Sequence, residues 1–146
     1  MTPNQLPSEG LALIGSVDPV SQAAGTVTTA WIPAAQYYSF MAVVKAGVFG
    51  ALATVDAKIR QATDASGTNA KDVTGKAITQ LLAAGGNNRQ AMINFRATDL
   101  DANNNFNYVQ LSLTVGAAAT LVSADVWGVY PRFEPVTQPV AVAQVV

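Results

Sequence analysis

The chain has no cysteine and no histidine among its 146 residues. Without cysteine there are no disulfides, no thiolate nucleophile and no thiolate-bound zinc, and the redox compartment is left open. Without histidine there is no Ser-His-Asp triad, no imidazole ligand for zinc or iron, and no side chain with an unperturbed pKa near neutrality. Charge is scarce as well. Eight Lys plus Arg and nine Asp plus Glu make up 12% of the chain, against about 25% in an ordinary soluble domain. A net charge of −1 and a pI near 5.1 supply no cationic excess to neutralise a phosphate backbone, so nucleic acid is not expected as a partner. Long apolar runs are missing too: the stretch 40–44 is ended by Lys45, far short of the roughly 18 residues a spanning helix needs, and no membrane partner is expected. The start, MTPNQLPSEGLALIG, has no basic region ahead of its apolar residues and does not read as a secretory leader. The chain is expected to act where it is made, or to be packaged from there.

What is present is half hydrophobic by count, and a chain of this length can bury about 70% of its unfolded surface as one domain without staples. Its middle reads in twos. In Thr54–Ala62, Val55, Ala57 and Ile59 alternate with Asp56, Lys58 and Arg60, the pattern of a half-buried antiparallel strand. Asp, Lys and Arg alternate in sign there, so they can pair with charges on neighbouring strands. The same period runs through 91–97 (Ala91, Ile93, Phe95 inward) and 107–115 (Val109, Leu111, Leu113, Val115 inward). Further strands are expected at 26–32, Tyr37–Ala46, 48–52 and 120–130, where β-branched and aromatic residues suit a pleated surface. Residues 76–84 fit either a short helix or a strand, and the strand is preferred. Polar Gly- and Asn-rich loops at 64–72, 85–89 and 101–105, with Pro33, Gly47, Gly50 and Gly116, separate these segments.

The pattern predicts an all-β fold: an antiparallel, jelly-roll-like β-sandwich of about seven or eight strands. Pro3 and Pro7, then Pro131, Pro135 and Pro139, discourage regular structure at the ends. The expected organisation is an extended N-terminal arm over 1–25, the sandwich over 26–130, and an extended C-terminal arm over 131–146. That second arm is apolar, with Val136, Val140, Val142, Val145 and Val146. It should therefore be covered, by its own domain or by a neighbouring subunit.

Candidate chemistry is thin. Asp99, Asp101 and Asn103 match the first half of a calcium loop, but position six is Asn104 where Gly is needed and position twelve is Gln110, which cannot chelate bidentately. Gly75-Lys76 lacks the earlier Gly and the following Ser or Thr of a phosphate loop, and Ser66-Gly67 is no nucleophile elbow. Paired carboxylates could serve glycoside hydrolysis, yet the two Glu, Glu9 and Glu134, lie in the arms. No catalytic residue, no metal and no cofactor is expected, and the chain is not expected to be an enzyme. Trp31, Tyr37, Tyr38, Trp127 and Tyr130 could form a sugar-stacking platform, although such residues more often anchor a core or an interface.

Scarce charge also carries a positive implication. Too few ionic residues remain to make the whole surface the charged mixture of a free monomer, and Asn, Gln, Thr and Ser can enter an interface without the desolvation cost of an ion. Much of the surface is therefore expected to be interface, with the remaining charges gathered around Asp56, Lys58 and Arg60 and in the polar loops. Two arms point the same way, toward an assembly subunit.

The stretch VSQAAGTVTTAWIPAAQYYSFMAVVKAGVFGALATVDAKIRQATDASGTNAKDVTGKAITQL, with NFRATDLD and the closing VSADVWGVYPRFEP, resembles a family of small virion proteins from tailed-bacteriophage head modules, encoded beside the major capsid protein. The likeness covers roughly residues 11–135 and rests on the aromatic segment after a Trp-containing strand (Trp31, Tyr37, Tyr38), the central core, and the Pro131-Arg132 pair. It implies a capsid decoration or cement protein on the virion surface, made in the host bacterial cytoplasm. The implied partners are the major capsid protein and further copies of itself, with a trimer as the expected state. On that reading 6–13 and 133–146 make the contacts, and Leu6, Leu11, Leu13, Trp31, Trp127, Phe133, Val136 and Val140 are the expected interface residues. The competing readings are a head-tail connector or tail subunit, and a carbohydrate-binding sandwich.

Overall fold

The computed structural model describes residues 2–146. After one helical turn at Pro7–Gly10 (α1), β1 is Leu11–Gln22 and β2 is Gly25–Thr28. The two-residue β3, Ile32–Pro33, precedes β4 at Tyr37–Ala46 and β5 at Thr54–Ala62. Then come β6 at Lys71–Ala77, the short β7 at Leu81–Leu82, and β8 at Arg89–Arg96. The chain closes with β9 at Tyr108–Gly116 and β10 at Thr120–Pro131.

One sheet has the order β1-β10-β4-β8; the other has β2-β9-β5-β6, with β3 also paired to β9 and β7 to β5. Every pairing is antiparallel. Eight strands divided four and four in this order, all but the four-residue β2 at least seven residues long, form a jelly roll, as the alternation in the sequence predicts. Register decides what is buried. Val55, Ala57 and Ile59 lie opposite Val115, Leu113 and Leu111, and all six face inward. From the other sheet Phe40, Ala42, Val44, Ile93, Ala124 and Val126 meet them. Small Ala side chains let the layers approach, and Phe40 stacks on its cross-strand partner Phe95 with ring centroids 4.8 Å apart. Full burial of a Leu such as Leu111 stabilises by about 2–3 kcal/mol.

Several expectations are corrected. The N-terminal arm does not reach residue 25: Leu11–Gln22 is a strand of the first sheet, with Leu11 opposite Val129 and Gln22 opposite Thr120. Its alternation is broken by irregularities after Leu13 and Val17, the second holding Pro19. As an edge strand, β1 tolerates a proline that an inner strand would not. Residues 48–52 form no strand but a turn, in which the Ala53 amide donates to the Gly50 carbonyl. The expected loop 64–72 stops at Ala70, because β6 begins at Lys71. The expected strand over 76–84 is reduced to the end of β6 and to Leu81–Leu82, followed by a 3-10 turn at Ala83–Gly85. The single strand at 26–32 is split. At the break the Thr29 hydroxyl accepts the Leu111 amide at 3.1 Å, taking a place in the ladder that a carbonyl would fill.

Candidate functional site

The two outer faces of the sandwich differ. On the β1-β10-β4-β8 sheet, Leu13, Trp127, Met41 and Asn94 run across the strands as partners, and Leu11, Val129, Ser39 and Arg96 form the next row. Apolar side chains are mixed there with polar ones, since the remaining outward positions hold Val43 and Met92 but also Asp125 and Lys45. On the β2-β9-β5-β6 sheet the outward rows are Thr26, Thr114 and Asp56, then Thr28, Ser112 and Lys58, then Gln110, Arg60 and Asp72. Charge collects there, as the sequence predicts. Lys58 and Arg60 both pair with Asp72, at 2.9 and 3.9 Å.

The C-terminal arm lies along the free edge of β1. The Gln138 amide donates to the Ser8 and Leu11 carbonyls at 2.9 and 2.8 Å, while its oxygen accepts the Leu13 amide at 3.3 Å. Farther back, the Val136 amide donates to the Glu9 carbonyl. One side chain thus occupies the donor and acceptor that a further strand would use. Between arm and sheet runs an apolar groove of about 300 Å³ whose walls include Leu11, Leu13, Trp127, Val142 and Val145. Of the expected interface residues, Leu11, Leu13 and Trp127 line this groove and are half-buried, while Val136, in the arm itself, is half-buried against the core. Leu6, Phe133 and Val140 stand in solvent.

Trp31 is used differently. It sits at the opposite end from the β4–β5 turn, with the Arg60 guanidinium 5.9 Å over its ring. A Cβ on Gly67, whose φ is +82°, would come within 2.4 Å of the indole nitrogen. Trp31 therefore packs against the 63–70 connection and does not line the arm's groove. The aromatics do not share an exposed plane: Tyr37 is buried against Phe40, Tyr38 lies under Arg132 at 4.4 Å, and Trp127 borders the groove.

The half calcium loop is spent on ion pairs. Asp99 accepts the Arg96 amide at 2.7 Å and pairs with Lys76 at 3.3 Å. Asp101 pairs with Lys71 at 2.5 Å and accepts from the Asn104 amide. Those partners hold both carboxyls below the usual carboxylate range, the Arg96 amide first for Asp99 and the Lys71 ammonium first for Asp101. Asp64 is lowered by Thr68, with Ser66 and Gly67 amides adding to it. The two aspartates thus point to different lysines and do not converge on one point. Among the described residues no three carboxylates gather as a metal site, and no helix is long and apolar enough to cross a membrane.

No protein-family model and no curated protein matches the chain in sequence. Solved structures match it in architecture. A chain of Broad Bean Stain Virus is 10% identical, covering 95% of this chain and 96% of its own length, with a TM-score of 0.45. A chain of the Cowpea mosaic virus top component, a naturally occurring empty particle, matches with the same identity, coverage and score. A CBM4 structure is 19% identical over 72% of this chain and 61% of its own length, with a TM-score of 0.42. At such identities the likeness is one of fold, and it leaves the function to be argued from this chain's own surfaces.

Proposed function

We propose that this chain is a non-enzymatic structural subunit that binds the outside of a phage capsid and stabilises it, as a decoration or cement protein. Its partners on this reading are the major capsid protein and further copies of itself in a homo-oligomer, a trimer by expectation. The observation that carries the reading is the C-terminal arm. It is fastened to the domain around Gln138 while Phe133 and Val140 are 85% and 102% exposed and Val146 is fully exposed. Apolar side chains left in water beside an anchored point are matched to a surface that another protein supplies.

The mechanism is mechanical. Copies seated across junctions between capsid subunits bury the arms and uncharged polar surface, and they resist outward pressure from packaged genome. Each contact can be modest, because linked contacts multiply through effective concentration. Deleting residues 139–146 keeps Gln138 and the sandwich, so the variant is expected to fold as before while losing most of its co-sedimentation with capsid shells. Undiminished binding by the folded variant overturns the reading. A head-tail connector would instead show few copies per particle, and a carbohydrate-binding module would retain glycan after the deletion.

A further inference from the structure

The edge of β1 and the C-terminal arm fit each other residue by residue. An edge strand offers alternate amides and carbonyls to a further strand. Here the Leu11 carbonyl and the Leu13 amide are taken by the Gln138 carboxamide, at 2.8 and 3.3 Å, and the Glu9 carbonyl by the Val136 amide at 3.1 Å. A primary carboxamide carries the donor and acceptor of a peptide group, so Gln138 stands in for one residue of a strand. Val142 and Val145 then border the apolar groove with Leu11, Leu13 and Trp127.

The connector between sandwich and arm has its own chemistry. It starts where the Arg132 amide donates to the Gln36 carbonyl at 2.9 Å, and it ends at the Val136 bond to Glu9. Residues 133–135 between these anchors are exposed, Phe133 by 85%. Pro131 and Pro135 bracket the segment, and a proline biases the residue before it toward extended backbone. Tyr130, before Pro131, instead holds φ of +52°, left-handed backbone that bulky residues rarely adopt. Strain of this kind gathers where a segment switches between two arrangements.

Arg132, Phe133 and Glu134 also form a self-complementary triplet. When two copies are set antiparallel about a two-fold axis at Phe133, Arg132 of each opposes Glu134 of the other, so two ion pairs flank one apolar contact. Among the described residues neither charge has an ion-pair partner in its own chain; Arg132 lies over the Tyr38 ring at 4.4 Å.

We propose that two copies of the chain exchange C-terminal arms, each arm docking on the other copy's β1 edge, with the connectors crossing at Phe133. The inference rests on the reading of the chain as an assembly subunit and supplies one contact by which its copies join. The occupant follows from fit. The edge and groove are already matched to Val136, Gln138, Val142 and Val145 of this sequence, and a second copy brings that same segment with every contact kept. A foreign segment would have to reproduce the carboxamide and its spacing. Exchange adds what the closed chain lacks: a cover for Phe133 and partners for Arg132 and Glu134. Val140 and Val146 stay outside and are left for the capsid. The contact is two-fold and makes pairs, so a trimer needs a separate contact.

The test is sedimentation of the full chain from about 1 µM to about 1 mM, at low salt so that exposed charges are weakly screened. The wild type is expected to form dimers in that range. Arg132→Glu and Glu134→Arg each set like charges together twice across the axis, and each should raise the dissociation constant by about 10-fold. The double variant restores opposite charges and should return to within about threefold of wild type, a rescue that misfolding cannot imitate. Complementation reads the exchange itself. Gln138→Ala spoils the arm, while Leu13→Pro removes the edge amide that Gln138 takes, at an edge position where proline is tolerated. Circular dichroism should show both folded, each alone should pair at least about 10-fold more weakly than wild type, and an equimolar mixture should form heterodimers. A mixture as monomeric as its components overturns the proposal, as do dimers indifferent to the charge reversals. A wild-type chain that stays monomeric throughout also overturns it. If that monomer still co-sediments with capsid shells, the assembly reading stands; if it binds no shells, that reading falls too.

Discussion

The end carrying the β4–β5 turn and the end carrying the 97–107 connection are held together by different forces. The first uses close backbone contact and hydrogen bonds from the Phe49, Asn88 and Ala83 amides to the Asn87 side chain and the Gly47 and Ala53 carbonyls. The second uses carboxylates, with Asp64 folding its own loop through Ser66 and Thr68 and with Asp99 and Asp101 each taking a lysine from β6. A loop that spends charges on itself is finished as a monomer surface. A loop that does without them leaves apolar side chains such as Leu52 and Val48 outside.

The contrast can be broken at several points. The largest effect is expected for Gly50→Ala, which forces a methyl against Ala118 and Ala119 backbone and should destabilise the fold by about 2–3 kcal/mol as overpacking does. Chemical denaturation measures it. At the polar end Asp99→Asn removes the charge that Lys76 and the Arg96 amide share. Because that site is partly exposed, the loss should be only about 0.5–1 kcal/mol.

Acid gives a subtler separation. Asp64, Asp99 and Asp101 all have folded pKa values below the ordinary 3.8. Groups depressed on folding contribute stability that is present above the unfolded value and lost as pH falls through the folded ones. Amide exchange, corrected for its intrinsic pH dependence, should therefore accelerate in 63–70 and 97–107 below about pH 4. It should not change in 47–53 and 117–119, which hold no titratable side chain. Equal acceleration at both ends would erase the distinction.

Much of this was readable in the sequence wherever one physical signal acted alone. Val55, Ala57 and Ile59 against Asp56, Lys58 and Arg60 defined β5 to the residue, and Tyr37–Ala46 emerged likewise as β4. The strand β1 was hidden because Gly15, Pro19 and two irregularities interrupt its alternation, features that only its edge position permits. Thr29 hid the break in 26–32, since a hydroxyl standing in for a ladder carbonyl has no local signature. For the surfaces, the apolar arm was evident from composition, while its pinning by Gln138 to Leu11 and Leu13 joins residues far apart in the chain. Trp31 gave no sign that it would serve the 63–70 connection through Gly67. The grouping of the four neutral connections 23–24, 47–53, 78–88 and 117–119 at one end was equally invisible until topology brought them together, although each of them is neutral in the sequence.

The central claim is that the missing charges mark assembly surface. Quantitative mass spectrometry of purified particles, counting this chain against the major capsid protein, tests it most directly. The expected stoichiometry is comparable to that of the capsid protein itself and falls sharply when residues 139–146 are deleted. A few copies per particle, or none, would contradict it.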